Sequence, residues 1–113
     1  MATLFTKIIN GEIKGKILHQ DDLCAAFADI SPQAPHHVLI VPKKEIPSVA
    51  RATKDDQALL GHLLLTAAKI AEQLKISPDG YRLVINTGRD GGQTVDHLHI
   101  HLLGGRPLEW PPG

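Results

Sequence analysis

The sequence predicts an α+β fold: an antiparallel sheet of about five strands with one long helix packed on one face. Three observations lead there. Short β-branched or alternating runs are separated by Gly, Pro and Asp turns. A single longer stretch carries helical periodicity. The elements follow one another as β-β-β-α-β-β, which pairs sequential strands and leaves the helix to cover the sheet. At 113 residues the chain is long enough to bury its own core, and residues 1–113 read as one domain.

In chain order, Leu4-Phe5-Thr6-Lys7-Ile8-Ile9 fits one or two helical turns, closed by Asn10-Gly11. Ile13 to Gln20 is a strand candidate, and Gln20-Asp21-Asp22 a turn. Leu23 to Ile30 is short and apolar, which suits a buried strand. It stops at Ser31-Pro32-Gln33-Ala34-Pro35, because each proline lacks an N–H and restricts the residue before it. His37-Val38-Leu39-Ile40-Val41 is a β-branched run closed by Pro42. These three runs read as an antiparallel meander. Pro47 to Ala52 suggests a short helical turn. Thr53 and Asp56 form a capping pattern. Beyond it Leu60, Leu63, Leu64, Ala67, Ile70, Ala71 and Leu74 recur at three- and four-residue steps, one face of an amphipathic helix. Ser77-Pro78-Asp79-Gly80 ends it. Tyr81 to Thr87 is another strand, Gly88 to Thr94 a loop, and Gly104-Gly105 the stop after the last strand. Arg106 to Gly113 is too proline-rich for regular structure.

That last strand is the unusual one. Asp96-His97-Leu98-His99-Ile100-His101-Leu102-Leu103 alternates strictly, so Leu98, Ile100 and Leu102 share one face and the three imidazoles the other. The apolar side would meet the helix. The imidazoles would line the opposite face, where their near-neutral pKa suits proton, metal or nucleophile chemistry.

Composition narrows the partners. Lys+Arg and Asp+Glu are both 12, so there is no basic excess for nucleic acid or a membrane surface, and a small ligand or a protein is expected instead. Cys24 is the one cysteine, which excludes an intrachain disulfide, and its apolar neighbours suggest a buried small hydrophobe. The N-terminus lacks the apolar core of a signal peptide and no run reaches membrane-spanning length, so a cytoplasmic protein is expected.

Three chemistries fit the row. One is a zinc site, but His97 and His101 would lie roughly 13 Å apart at ~3.3 Å per strand residue, too far for one ion with ~2 Å bonds unless the rings lie flat along the strand. Two of them with a distant ligand such as His37 remains open. Another is a polar face without chemistry. The third is a histidine nucleophile attacking phosphorus. The preceding Gly91-Gly92-Gln93-Thr94 supplies backbone N–H groups for an anion, and His99 has a neighbour on either side. His19, His36 and His62 read as surface or packing residues.

His97-Leu98-His99-Ile100-His101-Leu102-Leu103 resembles the signature of the histidine triad (HIT) superfamily. Phe5-x-Lys7-Ile8-Ile9, Phe27-x-Asp29-Ile30-Ser31-Pro32-Gln33-Ala34-Pro35, Tyr81-Arg82-Leu83-Val84-x-Asn86, Gly91-Gly92-Gln93, Leu103-Gly104-Gly105-Arg106 and Trp110-Pro111-Pro112-Gly113 resemble its Hint branch. The resemblance spans essentially the whole chain. It implies a single HIT domain and a homodimeric purine nucleoside phosphoramidase acting on adenosine 5′-phosphoramidates, without metal or cofactor. It makes His99 the nucleophile, places His101 on the phosphate, and has His97 and His37 support the nucleophile. It assigns Asp29 to the ribose hydroxyls, and Phe5, Ile8, Ile13, Phe27 and Ile30 to an apolar purine slot. Asn86, Gly92, Gln93 and Thr94 fall on the phosphate side, and Trp110 on the leaving-group tail. Thr94 stands where the branch usually has Ser, Asp96 where it often has Tyr, and Ala28 where a larger side chain is common. Gln93-Thr94-Val95 is also similar to the Fhit-like branch, which hydrolyses dinucleoside polyphosphates. A non-catalytic nucleotide-binding module is the remaining alternative. The helix carries leucines around much of its girth, which favours a partner subunit over part of it.

Overall fold

The computed structural model describes residues 2–113. Helix α1 (Leu4–Ile9) starts where the Thr3 side chain accepts the Thr6 N–H, and ends at Asn10. Strands β1 (Ile17–Gln20), β2 (Cys24–Ala28) and β3 (His36–Pro42) form the expected antiparallel meander. Asp21 makes the first turn, its Oδ1 accepting the N–H groups of Leu23 and Cys24. Strand β1 starts at Ile17 rather than Ile13, because residues 11–16 run as turn, bend and irregular chain. A 3₁₀ turn occupies Val49–Arg51. A second, Lys54–Asp56, carries the Thr53/Asp56 capping box and leads into α2 (Gln57–Gln73).

Strands β4 (Tyr81–Val84) and β5 (Ile100–Gly104) complete one sheet in the order β1-β2-β3-β5-β4. Strand β5 inserts antiparallel between β3 and β4, with Ile40 opposite Ile100 and His36 opposite Gly104. Strand β4 is shorter than expected, since Asn86 and Thr87 turn into the glycine loop.

Helix α2 covers one face. Leu63, Ala67, Ile70 and Ala71 pack on Cys24, Ala26, Val38, Ile40, Leu98, Ile100 and Leu102. Small residues on both sides, Ala67 and Ala71 against Cys24 and Ala26, let the helix lie close to the strands. The opposite face carries a smaller apolar cluster, Phe5, Phe27, Leu39 and Val41, under α1. Leu64 and Leu65 of α2 stay exposed. No helix among the described residues is long and apolar enough to cross a membrane.

Candidate active site

The histidine stretch alternates as expected, yet its first half is not in the ladder. Pairing begins at Ile100. The reason is where the backbone groups go: the His97 N–H bonds the Val95 carbonyl, and the Leu98 N–H bonds the Ile46 carbonyl at 2.7 Å. Leu98, Ile100 and Leu102 still enter the core under α2. His99 faces the other way, its ring 4.9 Å from Phe5 and 4.9 Å from His101. His37, on β3, lies 5.1 Å from His101.

Hydrogen bonds assign the proton on each ring. His99 Nδ1–H donates to the His97 carbonyl at 2.7 Å. Its Nε2 has no partner among the described residues and keeps its lone pair. The Gln33 N–H donates to His37 Nδ1 at 3.0 Å, so neutral His37 holds its proton on Nε2. That proton is shared with His101 Nδ1 at 2.9 Å and Asp29 Oδ2 at 3.5 Å. His101 therefore carries its own proton on Nε2, beside His99. His97 is fully buried; its Nε2–H donates to the Pro42 carbonyl at 2.7 Å, and its Nδ1 accepts the Thr3 hydroxyl at 2.6 Å.

Electrostatics agrees with neutral rings. Burial pushes His101 down from 6.5 to about 4, reinforced by repulsion from His99 and His37 and opposed by Asp29. Burial likewise lowers His37 against the pull of Asp29, and lowers His97 against the Pro42 carbonyl and Glu45. The hydrogen bonds thus leave His99 Nε2 without a protein partner among the described residues, next to an N–H donor on His101. An unprotonated imidazole with its far nitrogen pinned can attack an electrophile such as phosphorus.

The family model described as HIT domain matches residues 10–108. The chain belongs to the HIT domain family. It is 59% identical over 111 residues to an uncharacterized HIT-like protein from Synechocystis sp., covering 98% of this chain and 96% of that protein. Among solved structures it is similar to a HIT family hydrolase from Legionella pneumophila, with TM-score 0.97, 48% identity and 99% and 100% of the two chains covered. It is also similar to a histidine triad nucleotide-binding protein from Candida albicans, with TM-score 0.80, 33% identity and coverage of 97% and 83%.

In this HIT protein, several candidate residues hold the loop through their own side chains. Asn86 Nδ2 donates to the Gly91 carbonyl at 2.7 Å. Gln93 Nε2 donates to the Pro47 and Val95 carbonyls, while its Oε1 accepts the Gly88 N–H. Gly91 leaves no room for a side chain against the Thr87 backbone, and Gly92 sits at φ +77°. Thr94 is exposed. Asp29 uses Oδ1 to accept the Ser31 N–H and leaves Oδ2 beside His37. Phe5 and Phe27 are buried with ring centres 5.6 Å apart, Ile8 is half-buried, and Ile13 and Ile30 are exposed, Ile30 at 94%. Trp110 is exposed, on a tail that Arg82 holds through the Leu108 and Glu109 carbonyls. A hollow of about 410 Å³ between Lys75, Ile76, Asp79 and Arg106 has no histidine in its lining. The His37 and His99 rings are buried, and a separate hollow of about 370 Å³ has Asp29, His36 and His37 in its lining.

Asp29, His37 and His101 also offer ligand atoms within 4.8 Å of one another, a spacing that a metal could bridge. Both ring nitrogens of His37 are already engaged there.

Sequence reasoning missed the groups that hold the rings. Thr3 could have been found as the N-cap before Leu4. Glu45, which accepts the Thr3 N–H and the Thr6 hydroxyl, and the Gln33 N–H have no local signature.

Proposed function

We propose that this HIT protein hydrolyses the P–N bond of adenosine and related purine nucleoside 5′-phosphoramidates, giving a nucleoside monophosphate and an amine. The observation that supports it most is the pinning of His99 Nδ1–H on the His97 carbonyl, which presents Nε2 unprotonated beside the His101 N–H. In the first step His99 Nε2 attacks phosphorus and the P–N bond breaks. The nitrogen takes a proton and leaves as the amine, with His101 donating to the departing side. In the second step water attacks phosphorus and gives its proton back to His101 Nε2, the P–Nε2 bond breaks, and both imidazoles are regenerated. No residue changes oxidation state, and no metal or cofactor takes part.

The remaining assignments are part of the same reading. Asp29 Oδ2, next to the imidazoles, accepts a ribose hydroxyl. Phe5 and Phe27 form the floor of the purine slot, with Ile8, Ile13 and Ile30 at its wall. The Gly92 and Gln93 N–H groups are taken by the Arg89 and Gly88 carbonyls. On the loop that Asn86 and Gln93 hold it is therefore the exposed Thr94, with its hydroxyl, that meets the phosphate. Trp110 lies on the leaving-group side. The working form is a cytoplasmic homodimer, with exposed Leu64 and Leu65 as apolar surface for a partner copy.

Release of AMP from an adenosine phosphoramidate tests the reading. A burst of amine and a nucleotidylated peptide containing His99 are expected, and both should vanish in His99→Ala. Full activity in that variant would sink the mechanism. A faster rate on a dinucleoside polyphosphate would move the substrate to the Fhit-like class. AMP binding with neither burst nor labelled histidine would leave a binding module.

A further inference from the structure

A second histidine cluster lies on the helix side of the sheet, away from His99. Three elements build it. His19 comes from β1, Asp21 from the turn that follows it and Cys24 from the start of β2, and His62 from α2. The Nε2 atoms of His19 and His62 each lie 2.8 Å from the same oxygen, Asp21 Oδ2, and Cys24 Sγ lies 3.6 Å from it. Asp21 is a fixed post, because its Oδ1 accepts the Leu23 and Cys24 N–H groups at 2.8 and 2.9 Å. Oδ2 is thus aimed at two imidazoles and a thiol at once.

A plain polar network gives the thiol only two long donor contacts, to Asp21 Oδ2 at 3.6 Å and to Thr66 Oγ1 at 3.9 Å. Cys24 is fully buried beneath the histidines and, with no cation present, burial pushes it up to about 11. What the four groups share is ligand chemistry. Two imidazole nitrogens, a thiolate and a carboxylate oxygen make a borderline-soft donor set that suits tetrahedral Zn²⁺. With Zn–N and Zn–O bonds of about 2.0–2.1 Å and Zn–S of about 2.3 Å, the edges of such a tetrahedron are roughly 3.3–3.6 Å. The three edges at Asp21 Oδ2, 2.8, 2.8 and 3.6 Å, need to open by half an ångström or so at most. His19 Nε2, an Asp21 oxygen and Cys24 Sγ already lie within 4.8 Å of one another. His62 lies outside that set and has to draw its ring in towards His19 and Cys24 to close the fourth corner. The side chains of His19, Asp21 and His62 are 19%, 29% and 36% exposed over the buried sulfur, which leaves an entry path from solvent.

We propose that His19, Asp21, Cys24 and His62 form a structural site for a zinc-class divalent cation, tying α2 to the β1–β2 edge of the sheet. The imidazoles coordinate as neutral bases and the thiol gives up its proton, so each ion bound at neutral pH releases about one proton to solvent. The site is independent of the chemistry at His99. Its spacing, His-x-Asp-x-x-Cys with the fourth ligand 38 residues later on a helix, matches none of the standard zinc signatures.

Cobalt is the direct probe, because a thiolate ligand gives Co²⁺ a near-ultraviolet charge-transfer band and tetrahedral geometry gives intense visible bands. The full chain, reduced and stripped of metal, should take up one Co²⁺ with both sets of bands, and Zn²⁺ should displace it and raise the unfolding temperature. Cys24→Ser should remove the charge-transfer band. His62→Gln, on a partly exposed helix surface where folding is safe, should weaken binding by at least about tenfold. His37→Gln should leave binding intact. The proposal is overturned if no thiolate band develops, if His62→Gln binds as tightly as the parent, or if binding disappears in His37→Gln, which would place the ion beside His101 instead.

Discussion

Under α2 the sheet is sealed by apolar contact: Leu63, Ile70, Ile40, Ile100 and Leu102 are almost fully buried against one another. On the opposite face the apolar cluster is small, and the side chains that matter are held by directed hydrogen bonds to Thr3, Gln33, Pro42 and the His97 carbonyl. Apolar packing is non-directional and tolerates shifts of a fraction of an ångström. A hydrogen bond to one ring nitrogen fixes orientation and tautomer together. One face therefore supplies stability and the other geometry, and substitutions on the two should separate those quantities.

The largest separation is expected at His99. On the proposed mechanism His99→Ala lowers AMP release from an adenosine phosphoramidate by on the order of 10⁴-fold or more. Its unfolding free energy should change by only about 1 kcal/mol, read from urea denaturation. Loss of activity through unfolding alone would erase the distinction between the faces. The converse variant is Leu63→Ala. Removing that fully buried side chain should cost about 2–5 kcal/mol. In dilute buffer the surviving folded protein should keep its turnover per active site, counted by nucleotidyl-enzyme burst. A drop in turnover comparable to that of His99→Ala would show that the helix face sets geometry too.

The same contrast explains what could be read from the chain. The helix face was legible because periodicity reports it: Leu63, Ala67, Ile70 and Ala71 recur at helical steps, and Leu98, Ile100 and Leu102 at strand steps, and all of them are buried together. The five-stranded sheet with one long helix follows from that pattern. The alternation also placed His99 and His101 opposite the helix. It could not show that pairing starts only at Ile100, because the Leu98 N–H is taken by Ile46, 52 positions away in sequence. Nor could it show His37 beside His101, a contact made by the β3–β5 register. The meeting of His19 and His62 at Asp21 was invisible for the same reason: each looked like a separate surface histidine until the helix docked.

A smaller effect probes the hydrogen-bonded face directly. Thr3 both caps α1 and donates to His97 Nδ1. Thr3→Val keeps the shape and deletes both bonds, so stability should fall by about 1 kcal/mol. If His97 must be held for its carbonyl to aim His99, kcat should also fall by about tenfold with KM little changed. Thr3→Ser should restore both quantities. A stability loss without a kcat effect would reduce Thr3 to a helix cap.

The smallest effect is a pH slope, and its sign follows from the buried imidazoles. His101 titrates near 6.5 when unfolded and at about 4 in the fold, and His37 and His97 are lowered in the same direction by burial. Between those values the unfolded chain binds protons that the native site excludes, so stability rises with pH across the window. The contribution is fully present above about 6.5 and is lost as pH falls towards about 4. On the helix side the carboxylate of Asp56 is lowered chiefly by its bond from Lys44, so it acts in a separate window, below the usual carboxylate value of 3.8. Unfolding temperatures measured from pH 7 down to pH 4 should therefore decline, and His101→Gln should flatten the decline by removing its most strongly shifted imidazole. An unchanged slope in that variant would mean that the histidine face carries no such proton linkage, and that its neutrality at pH 7 comes from something other than burial.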